Sequence, residues 1–226
     1  ASEFMLDSHC RDVAGFLALI DSGDLNRSYH LLDQDEQDSL GQYSDLSSSV
    51  YQQQLRQKIC QQINSFNSEN VEDDLLPILR SYRQREMQRI IWRDLNSLSS
   101  MPETTLDLSL LAGCCIDEAL NVLHNSMIKK FGDPIGEYSQ TAQKLIVLGM
   151  GKLGAYELNL SSDIDLIFSY PESGETNHAS KPISNQEFFT RLGKALIRVI
   201  DSRTVDGFVF RVDMRLRPNG QSGPLA

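Results

Sequence analysis

The chain has 226 residues and a mass of 25.5 kDa; 40% hydrophobic and 23% charged residues suit a folded chain with a sizeable core and exclude disorder. A net charge of −10 argues against a general nucleic-acid binder, whose affinity comes from neutralising phosphates. No apolar run approaches the ~18 residues of a membrane span and nothing at the start reads as a secretory signal, so a cytoplasmic protein is expected.

Ala1–Phe4, ahead of Met5, read as a cloning scar. Residues 5–135 carry a helical rhythm. Val13, Phe16, Leu17 and Ile20 make one stripe, and Leu46, Val50, Leu55, Ile59 and Ile63 a weaker one, with a polar loop over Gln34–Ser49 between them. Leu75–Leu98 is the strongest predicted helix, with Leu79, Tyr82, Ile90, Ile91, Leu95 and Leu98 on its apolar side; Pro77 is tolerable only near a first turn. Its arginines 80, 83, 85, 89 and 93 read as a solvated face. Leu106–Phe131 makes a further helix, stopped by Gly132-Asp133-Pro134, and Cys114 and Cys115 within it read as core. The four cysteines show no CxxC spacing, and the four histidines are scattered.

From Lys144 the rhythm changes. Lys144–Leu148 is a nearly continuous apolar run, expected for a strand covered on both faces. Asp163–Phe168 alternates, with Ile164, Leu166 and Phe168 on one face and Asp163 and Asp165 on the other. Ser184 and Glu187 form a capping box that opens a helix buried through Phe188, Phe189, Leu192, Ala195, Leu196, Val199 and Ile200. A last strand is expected over Gly207–Arg217, with Phe208, Phe210, Val212, Met214 and Leu216 on one side and Val209, Arg211, Asp213, Arg215 and Arg217 on the other. The expected class is α+β: a helical region over 1–137, then a small mixed sheet with flanking helices over 138–226. Charge follows that division loosely, since residues 191–226 hold 7 Lys/Arg against 3 Asp/Glu. Such a local positive patch suits an anionic group held in one place.

Gly149-Met-Gly151-Lys-Leu-Gly154 fits G-x-G-x-x-G after a strand. A dinucleotide-binding unit would need a crossover helix and an acid ~20 residues later, but only Ala155–Leu160 is available and the acids arrive at 163 and 165. A P-loop fails as well, because Leu153 follows Lys152 and Ile146 stands where the first glycine belongs.

What remains is a glycine turn, Asp-x-Asp on a strand and Asp213 on a later strand. Asp163 and Asp165, two residues apart, project from one face, and their mutual repulsion is relieved by protonation or a divalent cation. If the two strands are neighbours, three carboxylates meet, a hard-oxygen set suited to Mg²⁺ bound with substrate phosphates. Gly151 and Gly154 would let backbone N–H groups approach a phosphate whose charge Lys152, Arg215 and Arg217 offset. The plainer alternatives are a solvated acidic face, an Asp213 paired with Arg211 or Arg215, and glycines serving only a tight turn.

Leu145–Phe168, LIVLGMGKLGAYELNLSSDIDLIF, and Phe208–Leu225, FVFRVDMRLRPNGQSGPL, closely resemble the bifunctional glutamine synthetase adenylyltransferase/adenylyl-removing enzymes. Arg80–Leu95, RSYRQREMQRIIWRDL, is similar to the helical region that precedes their first nucleotidyltransferase module. SSDIDLIF and VDMRLRP-x-G-x-SGPL look like the N-terminal module, which removes AMP. The family usually has a second glycine where Ala155 stands, and its N-terminal module continues further, so the chain resembles a fragment. The resemblance implies a DNA polymerase β-like nucleotidyltransferase fold and phosphorolysis of adenylyl-tyrosine on glutamine synthetase to tyrosine and ADP. It implies Asp163, Asp165 and Asp213 as catalytic, Mg²⁺-binding carboxylates. Phosphates or the nucleotide would be met by Gly151, Lys152, Gly154, Ser162, Arg215 and Arg217. Implied partners are glutamine synthetase and, in the full-length enzyme, a PII-type signal protein, with no nucleic acid or membrane. Competing possibilities are ATP-dependent adenylylation of glutamine synthetase, nucleotidyl transfer to a small molecule or RNA end, and a non-catalytic nucleotide sensor.

Overall fold

The computed structural model describes residues 12–29, 50–62, 70–178, 180–216 and 225–226. Helix α1 (Val13–Asp21) and a 3₁₀ turn (Asp24–Asn26) precede α2 (Val50–Gln62), α3 (Val71–Leu95) and α4 (Met101–Phe131). Then come β1 (Pro134–Gly136), β2 (Ile146–Met150), a single helical turn α5 (Gly151–Gly154), β3 (Ile164–Ser169) and β4 (Gly174–Thr176). Helix α6 (Asn185–Asp201) and β5 (Val212–Asp213) end the described elements. The class is α+β, helices first. Gln34–Ser49, Ile63, Cys10, His9, His30 and Arg217 lie outside the described residues.

Local chemistry explains the helix ends. Ser100 accepts the Glu103 N–H at 3.3 Å, which starts α4 ahead of the expected Leu106. Gly132, at φ 80°, ends it. Helix α3 begins at Val71, where Glu72, Asp73 and Asp74 place negative charge on its N-terminus. Pro77 therefore falls in the second turn rather than the first. Ser184 accepts the Glu187 N–H at 3.2 Å and opens α6, as the capping box predicts.

Of the stripe expected on α1 only Phe16 packs inward, against Trp92; Val13, Leu17 and Ile20 are exposed, and Leu19, outside the stripe, is the buried residue. Leu55 and Ile59 of α2 are buried as expected, and so are Leu79, Tyr82, Ile90 and Ile91 of α3, whereas Leu95 and Leu98 are exposed.

The expected solvated arginine face is the largest departure. Arg80 and Arg89 are 1% and 0% exposed, and Arg93 is buried. Arg89 donates to Glu86 at 2.9 Å and to the Tyr51 hydroxyl, and pairs with Asp107 at 3.3 Å. The Tyr51 hydroxyl in turn donates to Asp107 at 2.6 Å. Burial opposes the Arg89 charge, but Tyr51, Asp107 and Glu86 outweigh it and raise the guanidinium pKa. Arg85 bridges Glu86 and Asp24, and Arg93 binds the carbonyls of Asn26 and Leu98 together with Glu103. A charged network thus joins α3 to α2, α4 and the 3₁₀ turn. Charge along a helix predicts solvent; here it sits inside because partners of the opposite charge meet it there.

Arg80 works differently. Its guanidinium donates to the carbonyls of Leu76 (3.0 Å), Val199 (3.1 Å), Gly207 (2.9 Å) and Ser202. Two of these, Val199 and Ser202, lie at the C-terminus of α6, where free carbonyls and the helix dipole favour a cation.

A three-stranded mixed sheet runs β2-β3-β5. β2 and β3 are antiparallel, with Met150 opposite Asp165; β3 and β5 are parallel, with Asp165 opposite Asp213. A separate antiparallel pair joins β1 and β4. Ile164, Leu166 and Phe168 point into a core shared with α2, α3, α4 and α6, which includes Cys114 and Cys115. The run at Lys144–Leu148 is not covered on both faces: β2 is an edge strand, and Ile146 and Leu148 are 44% and 46% exposed. Among the described residues, helices pack only on the side that carries Val147.

The predicted long last strand shrinks to Val212–Asp213. The N–H groups of Val209 and Phe210 both donate to the Ile200 carbonyl, so that stretch is tied to the end of α6 instead of a neighbouring strand. Val209 and Phe210 are consecutive and both buried, which strict alternation forbids, and Leu216 is exposed.

Candidate active site

β2 ends at Met150, and Gly151 turns the chain at φ 53°, a left-handed value that favours glycine. A Cβ on Gly151 would stand 3.1 Å from Oδ2 of Asp165. One on Gly154 would stand 2.4 Å from the Gly149 carbonyl oxygen. These glycines therefore let the chain double back tightly beside a carboxylate. The antiparallel β2–β3 pair needs no crossover, which is why the connection is so short.

Directly paired residues share a face. Met150, Asp165 and Asp213 therefore lie on one side of the sheet, continued along β2 and β3 by Leu148, Ile146 and Ile167. Among the described residues no helix packs over Ile146 and Leu148 on that side. A cavity of about 270 Å³ lies on the opposite side, under the turn, between Ser109, Gly113 and Asp117 of α4 and Val147, Gly149 and Leu166. It is separate from the carboxylate face.

Asp163 precedes β3 and is met by Arg211, which donates through Nε to its Oδ1 and through a terminal nitrogen to the Ser161 carbonyl. Both side chains of that pair are 49% exposed. The Ile164 N–H donates to the Arg211 carbonyl at 2.9 Å, extending the β3–β5 ladder by one bond. Arg215 donates to both oxygens of Asp213, at 3.0 and 2.7 Å through Nε, and its backbone N–H adds a bond of 2.8 Å. These bonds hold the Asp213 carboxyl below the usual carboxylate range. Asp213 in turn raises the Arg215 pKa, with smaller contributions from Asp165 and Asp163, so this guanidinium lies within the field of all three carboxylates.

The predicted residues are thus distributed as follows. Asp165 and Asp213 are paired, Gly151 adjoins Asp165, and Arg215 sits among the acids. Lys152 is exposed on the turn, Gly154 closes it, and Ser162 is half-buried just before β3. Among the described residues no three His, Cys, Asp or Glu side chains gather as a metal cluster. Asp163 and Asp213 are instead taken up by one arginine each.

Residues that the sequence reading gave no role also shape the site. In the sequence Arg211 stands out only as a partner for Asp213. Its position two residues before Asp213 on an alternating strand already placed it on the same face. Asp201, the last residue of α6, accepts the Val212 N–H at 3.2 Å and holds β5 in place. Arg83 lies over the rings of Phe208 and Phe210, 5.5 and 6.0 Å from their centres. Arg80 and Arg83 share the helical face of Leu79 and Tyr82, a spacing that signals an inward position.

The family model for glutamate-ammonia ligase adenylyltransferase matches residues 10–226. The chain belongs to that family. It is 61% identical over 154 residues to the bifunctional glutamine synthetase adenylyltransferase/adenylyl-removing enzyme of Pseudomonas aeruginosa, covering 68% of this chain and 16% of that protein. The namesake in Nitrosococcus oceani is 54% identical over 167 residues, covering 74% of this chain and 17% of the relative. The one in Pseudomonas putida is 48% identical over 225 residues, 100% of this chain and 21% of the relative. The chain therefore spans at most about a fifth of the length of these curated relatives. They are named as adenylyltransferases, which are nucleotidyltransferases, and as adenylyl-removing enzymes; the adenylyltransferase family is thus defined by enzymes.

Proposed function

We propose that this chain carries the adenylyl-removing site of a bifunctional family member, with residues 138–226 as a DNA polymerase β-like nucleotidyltransferase core and 1–137 as its helical support. The observation that carries this is the Asp165–Asp213 pair on neighbouring strands, with Gly151 against Asp165. The motif variants SSDIDLIF and VDMRLRP favour removal over addition of AMP.

The donor set fits a divalent cation. Asp163, Asp165 and Asp213 offer only hard carboxylate oxygens, on or beside two adjacent strands, with Asp163 half exposed. These three residues would hold Mg²⁺, which when bound supplies neutralisation of charge on the phosphoryl oxygens. An oxygen of inorganic phosphate attacks the phosphorus of the adenylyl group, and the bond from phosphorus to the tyrosyl oxygen breaks. The products are ADP and a tyrosine hydroxyl, whose proton comes from the incoming phosphate or solvent. Lys152 and Arg215, with Arg217, hold the incoming phosphate, and Ser162, Gly151 and Gly154 line the approach to the nucleotide. The protein substrate is adenylylated glutamine synthetase. A PII-type protein acts on the full-length enzyme in the cytoplasm. No helix among the described residues is long and apolar enough to cross a membrane.

The test is phosphate-dependent release of ADP from adenylylated glutamine synthetase with Mg²⁺, comparing this chain, a longer natural form and Asp163→Asn. Release that disappears in Asp163→Asn supports both the direction and the site. The relatives' double name favours one second possibility, ATP-dependent adenylylation, and consumption of ATP with unmodified glutamine synthetase would decide for it.

A further inference from the structure

Arg211 has no role in the phosphate contacts described above, yet it is the arginine that occupies Asp163. The pair is half exposed on both sides, and water-exposed pairs of this kind are weakly held. Its guanidinium already presents two nitrogens to two oxygens, one on Asp163 and one on the Ser161 backbone. The same fork matches two oxygens of a phosphate. Arg215, four residues along the same segment, is likewise held on a carboxylate, that of Asp213.

The charge balance gives the pairing a consequence. Three carboxylates and two guanidiniums leave this face with one excess negative charge. A divalent cation on the carboxylates turns that into one excess positive charge and takes oxygens that the arginines were using. An anionic phosphate then becomes the matching partner for the released guanidiniums.

We propose that Arg211 is a phosphate ligand held in reserve on Asp163, released when a divalent cation takes that carboxylate. The cation and the nucleotide phosphate therefore bind with positive coupling, each tightening the other by the same factor. This rests on the metal-binding role given to Asp163 under the proposed function.

Mn²⁺ binding tests it without turnover. The free-ion electron paramagnetic resonance signal is titrated with the 226-residue chain and with Arg211→Gln, without and with AMP, whose single phosphate chelates the ion poorly. Arg211→Gln is expected to bind Mn²⁺ alone about three- to tenfold more tightly, because the competing cation is gone. AMP should tighten Mn²⁺ binding by roughly fivefold or more in the wild type and by no more than about twofold in Arg211→Gln. In an Asp163→Asn background, Arg211→Gln should no longer tighten Mn²⁺ binding, as a double-mutant cycle requires of interacting partners. Unchanged or weaker Mn²⁺ affinity in Arg211→Gln, or undiminished coupling to AMP, overturns the role of Arg211 and leaves the metal site standing. Failure of the wild type to bind Mn²⁺ at all overturns the metal site together with it.

Discussion

Asp165 and Asp213 are direct partners in the parallel ladder between β3 and β5, although 48 positions separate them in sequence. Two strand residues in register must point their side chains to the same side, so the ladder itself aims the two carboxylates together. Asp165→Asn and Asp213→Asn should each lower phosphate-dependent AMP removal by about a hundredfold or more, as loss of transition-state charge stabilisation does. Urea melts of the same variants should shift by less than ~1 kcal/mol, since the ion pair of Asp213 faces an exposed arginine. Full activity in either variant would remove the carboxylate pair from the mechanism.

Gly151→Ala adds a left-handed strain of about 1–2 kcal/mol and a methyl group against the Asp165 carboxylate. Gly23→Ala, at φ 75° with open space around it, adds the strain alone. Both should lose stability by about the same amount in denaturant titrations. Only Gly151→Ala should lose activity beyond the unfolded fraction; equal activity in the two would show that the turn does not constrain Asp165.

Arg80→Met removes the donor shared by the carbonyls of Val199, Ser202 and Gly207, leaving buried acceptors without it at a cost of about 3 kcal/mol. Arg89→Met leaves Glu86 and Asp107 without their buried cation, and about 3–5 kcal/mol is expected. Arg198→Met, which breaks exposed pairs with Glu72 and Asp73, should cost under ~1 kcal/mol. Chemical denaturation of the three variants in parallel distinguishes an internal charged frame from a solvated arginine face.

His124 packs edge-on against Phe188, 5.6 Å between ring centres. Burial lowers its pKa, Lys144 adds to the effect, and Asp133 opposes it. The unfolded chain therefore takes up the proton first as pH falls. Its contribution to stability is complete above about pH 6.5, the unfolded value, and declines as pH drops from there towards the lower folded value. Thermal melts between pH 8 and pH 5 should show this decline, and His124→Gln should flatten it. An identical slope in the variant would assign the pH dependence to other groups.

Burial pushes the Cys115 thiol up to about 12, with Arg83 opposing, and the Cys114 thiol higher still, with Cys115 and Glu118 adding to burial. Cys60 is exposed. Alkylation at pH 8 followed by peptide mapping should label Cys60 rapidly and Cys114 and Cys115 only on unfolding. Rapid native labelling of Cys114 or Cys115 would mean that α4 opens locally.

Sequence patterns resolved what depends on neighbours along the chain. The Ser184–Glu187 capping box, the Gly132 stop, the alternation of Ile164, Leu166 and Phe168, and the burial of Cys114 and Cys115 all follow from spacing and residue type. The rejection of a crossover unit around Gly149–Gly154 is equally local, since the six residues Ala155–Leu160 are too few for a crossover helix, whereas an antiparallel connection needs none. Order and spacing also group the acids and the glycine turn, and the resemblance then assigns them roles.

Partners distant in sequence were decided only by the tertiary structure. Nothing in the run of arginines from 80 to 93 says that Glu86, Asp107 and the end of α6 will surround them, and without those partners solvent was the cheaper expectation. Nothing in Lys144–Leu148 says that helices will cover only one side of β2. The alternation of Gly207–Arg217 was real as a pattern, but the α6 end and Arg80 claim its first backbone groups and leave two residues to pair with β3. Composition and periodicity specify which faces are apolar and which ends are capped, because those preferences are local. Which charged group meets which, and so whether a charge lies in water or inside, is set by long-range packing, because only a partner brought from far along the chain offsets the desolvation of a buried ion.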